Sequence, residues 1–239
     1  MRHDSAAEAG IATRVYCRRC ACSEETKGRF IDERVPCPAK LKIAGERYWE
    51  RRSGLLYYKY LDSIIRDIGA SAKSIIDVGT GHLPYLEWFD WIPEKVAIDL
   101  LPPYSSETVR GIHGDIFELS FPKKFDLCTC MQVMEHVPDA GRFARRLMEI
   151  GHIVLVSVPH KWPAGSVPGH VHDPVTLAKV TEWFGRPPNY QLIVREPFQL
   201  RMGARLMVVY DVANPTRRFS EIKVHRGWPL WVHRPFPGA

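Results

Sequence analysis

Glu135-His136 carries the most chemistry in this chain, and three further histidines, His160, His170 and His172, follow it. A carboxylate and neutral imidazoles can take a proton from an alcohol, because their pKa values can be brought near neutrality. The same groups can together hold Mg²⁺ or Mn²⁺ against a hydroxyl or a vicinal diol. A lone loop histidine is usually a solvated side chain, but His160, His170 and His172 fall within thirteen residues. Glu135, His136, His160, His170 and His172 are therefore the candidate catalytic residues. A second constellation is Asp77-Val78-Gly79-Thr80-Gly81, with Asp99 placed 22 residues after Asp77. Glycines let a backbone approach a ligand lying across strand ends, and an acidic side chain at that distance can grip a ribose diol.

These side chains need a frame. Ser74 to Val78 is a short apolar run, the profile of a strand buried on both faces, broken by the glycine turn. Pro84 suits the first turn of a helix over 83–92. Further strands are predicted at 95–99, 109–112, 125–131 and 152–158, and a closing pair at 190–194 and 205–211. Helices are expected over 46–69, where Leu61, Ile64, Ile65 and Ile68 recur at helical spacing, from an Asp139 cap to Gly151, and over 174–184. On the 139–151 helix, Arg142, Arg145 and Arg146 fall mainly on the solvated side. Strand, helix and strand in alternation argue for an α/β fold with a mostly parallel sheet and helices on both faces. The loop over 159–173 then lies outside the carboxyl ends of the strands, where such sheets bind ligands.

At 239 residues the chain suits one domain with extensions: an N-terminal extension or lid over 1–44, a main domain over 45–212 and an arm over 213–239. With 45% hydrophobic and 25% charged residues, wholesale disorder is not expected. No apolar run reaches 18 residues and the first ten lack a signal core, so the expectation is a cytoplasmic protein without a transmembrane segment. The net charge of +6 favours anionic partners only weakly. Cys128 and Cys130 share one face of a buried strand as small apolar residues, whereas Cys17, Cys20, Cys22 and Cys37 are read as free thiols in preference to a zinc site. Tyr48, Trp49, Tyr57, Tyr58 and Tyr60 make the first predicted helix aromatic; core or homodimer packing is preferred to stacking on a sugar or base. The arm, with Trp228, Trp231 and several arginines, is read as packing on its own domain or a sister subunit before nucleic acid or a membrane surface.

Asp77-Val78-Gly79-Thr80-Gly81 resembles the first motif of class I S-adenosylmethionine-dependent methyltransferases, D-x-G-x-G. The resemblance spans roughly residues 70–212, and Leu83 stands where that family has a third glycine. It implies a Rossmann-like seven-stranded sheet and S-adenosylmethionine as cofactor. It also implies cofactor-binding roles for Asp77, Gly79, Thr80, Gly81, Asp99, Leu100, Asp115, Ile116 and Met131, with Asp115 on the adenine amino group and Ile116 against the ring. Gln132-x-x-Glu135-His136 is similar to the E-x-x-E-H element of metal-dependent O-methyltransferases, with Gln132 in place of the first glutamate. That similarity makes Glu135, His136 and His172 the candidate metal ligands; a metal-free pair shaping the cofactor pocket is the alternative. The expected reaction is methyl transfer to a hydroxyl of a sugar, glycan precursor or similar polar metabolite. The competing expectations are RNA ribose 2′-O-methylation, with nucleic acid as partner, and a non-catalytic cofactor-binding protein.

Overall fold

A computed structural model describes residues 49, 52–197, 199 and 202–219. The chain divides into units of residues 1–42 and 43–239, and everything below concerns the second. The N-terminal cysteines, Tyr48 and the tryptophans of the C-terminal arm lie outside the described residues.

Seven strands form one sheet: β1 (Ser74–Val78), β2 (Glu94–Asp99), β3 (Arg110–His113), β4 (Phe125–Met131), β5 (Gly151–Pro159), β6 (Tyr190–Arg195) and β7 (Ala204–Asp211). Their order is β3-β2-β1-β4-β5-β7-β6. The first five run parallel, and β7 inserts antiparallel between β5 and β6. The order reverses between β1 and β4, which opens a crevice at the carboxyl ends of the central strands.

The two-residue period of the strands sorts the core into two layers. Cys128, Cys130, Val154, Val156, Leu206, Val208 and Tyr210 face α2 (Ala140–Ile150) and α3 (Leu177–Phe184). Leu127, Met131, Leu155, Met207 and Val209 face α1 (Leu56–Ile68) and the 3-10 turn Pro84–Trp88. Cys128 and Cys130 are buried free thiols, and burial pushes both well above the usual thiol range. Tyr57, Tyr58 and Trp49 pack in the second layer, so the aromatic stretch serves the core in this chain.

Three helices differ from expectation. The helix expected over 46–69 is interrupted: Trp49 and Arg52 are helical, Ser53 and Gly54 form a turn, and α1 runs from Leu56, where Glu196, from beyond β6, accepts the first N–H groups. The helix expected over 83–92 is the short 3-10 turn Pro84–Trp88; Pro93 disfavours helical backbone at Ile92 and β2 begins at Glu94. α3 starts at Leu177, where the Thr176 hydroxyl accepts the Lys179 N–H, three residues after Pro174. Among the described residues no helix is long and apolar enough to cross a membrane.

Candidate active site

The turn after β1 builds the first wall of the crevice. Gly79 and Gly81 hold φ of +82° and +56°, a region that side chains rarely adopt. A Cβ on Gly79 would meet Val133 Cγ2 at 2.4 Å, whereas one on Gly81 would enter open space. The first glycine thus lets the turn sit on the loop after β4, and the second leaves its outer side clear. Asp99 ends β2 and fixes the turn: its Oδ2 accepts the Gly81 N–H at 2.8 Å, and its Oδ1 accepts the Leu101 N–H at 2.9 Å. Gly114 N–H in turn donates to the Asp99 carbonyl, which ties the turn after β3 to the end of β2. There Asp115 Oδ1 accepts the Phe117 N–H, Ile116 is buried, and Leu100 stands exposed beside Asp99.

A cavity of about 160 Å³ opens between this turn, Met131 and Gln132 after β4, and Tyr57 on α1. Of the residues expected to bind cofactor, Gly79, Thr80, Gly81, Asp99 and Met131 line it, and Leu100, Asp115 and Ile116 do not. Asp77 does not. It lies buried beneath the turn, where the Thr129 hydroxyl donates to its Oδ1 at 2.8 Å and Tyr85 Oη meets that hydroxyl at 2.9 Å. Burial pushes the Asp77 carboxyl above its ordinary value. Its place is structural support for the glycine turn, a correction to the expected direct contact.

The second constellation gathers where the 3-10 turn Met134–His136 meets the loop after β5. Glu135, His136 and His170 each offer a ligand atom within 4.8 Å of the others. The loop is held there by the Val171 N–H on the Glu135 carbonyl at 2.9 Å and by Trp162, whose ring stacks on His170. His136 Nδ1 faces the Gly169 carbonyl at 3.0 Å, and His170 Nδ1 faces Asp173 Oδ2 at 2.6 Å. With Nδ1–H donated in each case, both rings keep Nε2 for a substrate or cation. The Glu135 carboxyl is buried, its Oε2 has no hydrogen-bond partner, and burial together with the Asp173 charge pushes it up to about 8. Burial lowers His136 from its ordinary value, with His170 adding to the effect.

The histidines do not all converge. His170, not His172, completes the cluster: His172 Nε2 bonds the Val137 carbonyl at 2.8 Å and its ring packs edge-on against Trp183. That correction follows from the loop path, which brings His170 to the side chains of Glu135 and His136 and His172 to the backbone at Val137, the cap of the same turn. His160 stands apart, its N–H on the Ala204 carbonyl and its ring held below the usual range by burial. Gln132, at φ +60°, directs its amide to Ser157 Oγ at 3.1 Å, and Tyr57 Oη meets the same hydroxyl at 2.7 Å. Tyr57, Ser157, Trp162, Asp173 and Arg205 were not among the expected site residues. Only the Tyr57 signal was visible in the sequence, as one aromatic among several.

Of the arginines of α2, Arg142 and Arg145 are exposed, as expected, and Arg146 is half-buried; Arg142 and Arg146 also brace the turn after β3. Arg146 donates to the Ile116 carbonyl at 3.0 Å and the Leu119 carbonyl at 2.5 Å, and Arg142 lies over the Phe117 ring at 4.0 Å.

Residues 76–151 match a family described as a methyltransferase domain. A ubiquinone biosynthesis O-methyltransferase from Nitrosomonas europaea is 27% identical over 124 residues, 45% of this chain and 52% of that protein. The chain thus spans about half the length of this curated relative. Among solved structures, the N-methyltransferase NodS from Bradyrhizobium japonicum, in complex with S-adenosylhomocysteine, has a TM-score of 0.54 at 12% identity, over 70% of this chain and 93% of that one. The 1,6-didemethyltoxoflavin-N1-methyltransferase of Burkholderia thailandensis, with its bound substrate and S-adenosylhomocysteine, has a TM-score of 0.53 at 18% identity, over 67% and 79%. At these identities the likeness is one of fold.

Proposed function

From a chain that carries a class I S-adenosylmethionine-dependent methyltransferase domain, we propose an enzyme that moves the cofactor's methyl group to a hydroxyl oxygen of a sugar, glycan precursor or similar polar metabolite. The Nitrosomonas relative, a ubiquinone biosynthesis O-methyltransferase, supports oxygen as the acceptor atom. The single observation that carries the reading is the buried Glu135 carboxyl, without a hydrogen-bond partner on Oε2, beside the His136 and His170 rings. An alcohol is a poor nucleophile at neutral pH and needs such groups to remove its proton.

The work divides between the two walls of the crevice. The Gly79–Gly81 turn and Asp99 hold the cofactor's amino-acid and ribose ends, and the turn at Asp115 and Ile116, braced by Arg146, holds the adenine. Met131 and Gln132 lie at the junction where sulfonium and acceptor meet. The acceptor oxygen attacks the methyl carbon in line, the C–S bond breaks, and the neutral thioether leaves. His136 or His170 takes the hydroxyl proton on Nε2, and Asp173 stabilises the His170 imidazolium. His160 and His172 lie outside this step.

Two imidazoles and a carboxylate also fit a divalent cation, Mn²⁺ better than Mg²⁺, which prefers oxygen ligands. Glu135, His136 and His170 would hold it, and when bound it would lower the pKa of the acceptor hydroxyl. The test is transfer of labelled methyl from S-adenosylmethionine into pools of sugars, glycan precursors and RNA, with and without chelator. Label on a small-molecule oxygen supports the reading. Label only in RNA, with activity collapsing as salt rises, overturns the acceptor class.

A further inference from the structure

The cavity beside the glycine turn holds a guanidinium that is ion-paired with Glu196 yet keeps one nitrogen without a hydrogen bond. Arg205, at the start of β7, lines that cavity with a side chain only 4% exposed, and its Nη1 has no hydrogen-bond partner. A buried guanidinium normally has its donors paired, so an unpaired one aimed into a cavity indicates a ligand group. Glu196 stands 3.9 Å from Nη1, beyond hydrogen-bonding reach. Its two oxygens are already taken by the N–H groups of Leu56 and Tyr57, at 2.9 and 2.8 Å. The guanidinium is held in place between the rings of Tyr57 and Trp162, 5.3 and 5.5 Å from their centroids. Arg52 lines the same cavity.

We propose that Arg205 is the anion-recognition residue of the acceptor pocket, and that the acceptor carries an oxyanion, a carboxylate or phosphate, beside the hydroxyl that is methylated. This deepens the proposed function and rests on it. A planar guanidinium fork matches such a group through two parallel hydrogen bonds, which would fix the acceptor's orientation toward the cofactor. Arg205 shares its cavity with the glycine turn, but its backbone enters from the far side of that cavity, beside the end of β5. Arg205 pairs with Pro159 at the end of β5, and β7 lies three strands from β1. At about 4.8 Å per strand that is roughly 14 Å from the glycine turn. The cofactor has an amino-acid carboxylate of its own, and the experiment separates the two sources.

Full-length protein saturated with S-adenosylhomocysteine is titrated with benzoate, inorganic phosphate and neutral benzamide, following tryptophan fluorescence and heat. Saturable binding of benzoate or phosphate, with benzamide inert, is expected without any variant. Arg205→Met should weaken that binding at least tenfold and Arg205→Lys less, while S-adenosylhomocysteine affinity stays within twofold in both. If the loaded wild type binds neither anion, the proposal is overturned. It is equally overturned if Arg205→Lys loses S-adenosylhomocysteine affinity tenfold, which would assign the guanidinium to the cofactor carboxylate. Failure of the wild type to bind S-adenosylhomocysteine would instead sink the methyl-transfer reading, a separate outcome visible before any anion is added.

Discussion

The two ends of the crevice treat their polar groups in opposite ways. At the β1–β3 end the acids are spent on the protein: Asp99 holds Gly81 and Leu101, Asp115 holds Phe117, and Asp77 holds Thr129. Thr80 and His82 in the glycine turn each keep a buried atom without a hydrogen-bond partner, but among the described residues charged groups do so at the β4–β7 end alone, on Glu135, Asp173 and Arg205. Leaving such atoms unpaired costs about 1–3 kcal/mol each, so they point to a function rather than to stability. The first end is a preformed cradle that any cofactor-using relative of this fold can share. The second is where this chain's own acceptor must supply the missing partners.

That contrast breaks most sharply at Gly79. Gly79→Val would drive a side chain into Val133 at positive φ, at a cost of about 1–3 kcal/mol in backbone strain alone. S-adenosylhomocysteine binding should disappear in calorimetry and the melting temperature should fall; binding at wild-type strength would show that the turn is not the cradle. Glu135→Gln should act at the other end only. Turnover should fall roughly 100-fold or more, as for loss of a positioned acid or base, with S-adenosylhomocysteine affinity within twofold. A loss of cofactor affinity instead would merge the two regions into one.

Asp99→Ala sits between these in size. On the proposed reading Asp99 accepts the ribose hydroxyls as well as the Gly81 and Leu101 N–H groups, and removing it should cost about 1.5–3 kcal/mol, roughly 10- to 150-fold in cofactor affinity. Unchanged affinity would refute the ribose assignment. Arg146→Ala should be milder, about 1 kcal/mol or roughly fivefold weaker S-adenosylhomocysteine binding, because it loosens the turn after β3 without touching the ligand.

The smallest effect belongs to the amino ends of the central strands, opposite the crevice. Burial alone would raise Asp126, but the N–H groups of Lys73 and Ser74 and the Ser74 hydroxyl hold it below the usual carboxylate range. A depressed folded pKa contributes stability above the unfolded value and loses it as pH falls through the folded one. Asp126→Asn should therefore lower the melting temperature slightly at pH 7, with the gap to wild type closing under acid. A gap that widens under acid would contradict the assignment.

The sequence carried the cradle more fully than the acceptor wall. β1 and β4 were legible to the residue and the other strands to within one residue at each end, because each is an apolar run bounded by Gly, Pro or charged residues. Asp99 was legible because its spacing is imposed by one strand-turn-strand unit. The acceptor wall depends on how a proline- and glycine-rich loop folds back, which no period records. Its path decides that His170 meets Glu135 and His136 while His172 turns to Val137. Arg205 was invisible for a related reason. A lone arginine opening a strand reads as an exposed end, and only its packing against Tyr57 and Trp162 reveals a buried one.

A crystal structure of the protein with S-adenosylhomocysteine tests the central claim most directly. The account predicts density across the ends of β1 and β2, with the ribose hydroxyls on Asp99, the adenine near Asp115 and the sulfur directed toward Met131 and Gln132. Ligand bound elsewhere, or the ribose held without Asp99, would contradict it.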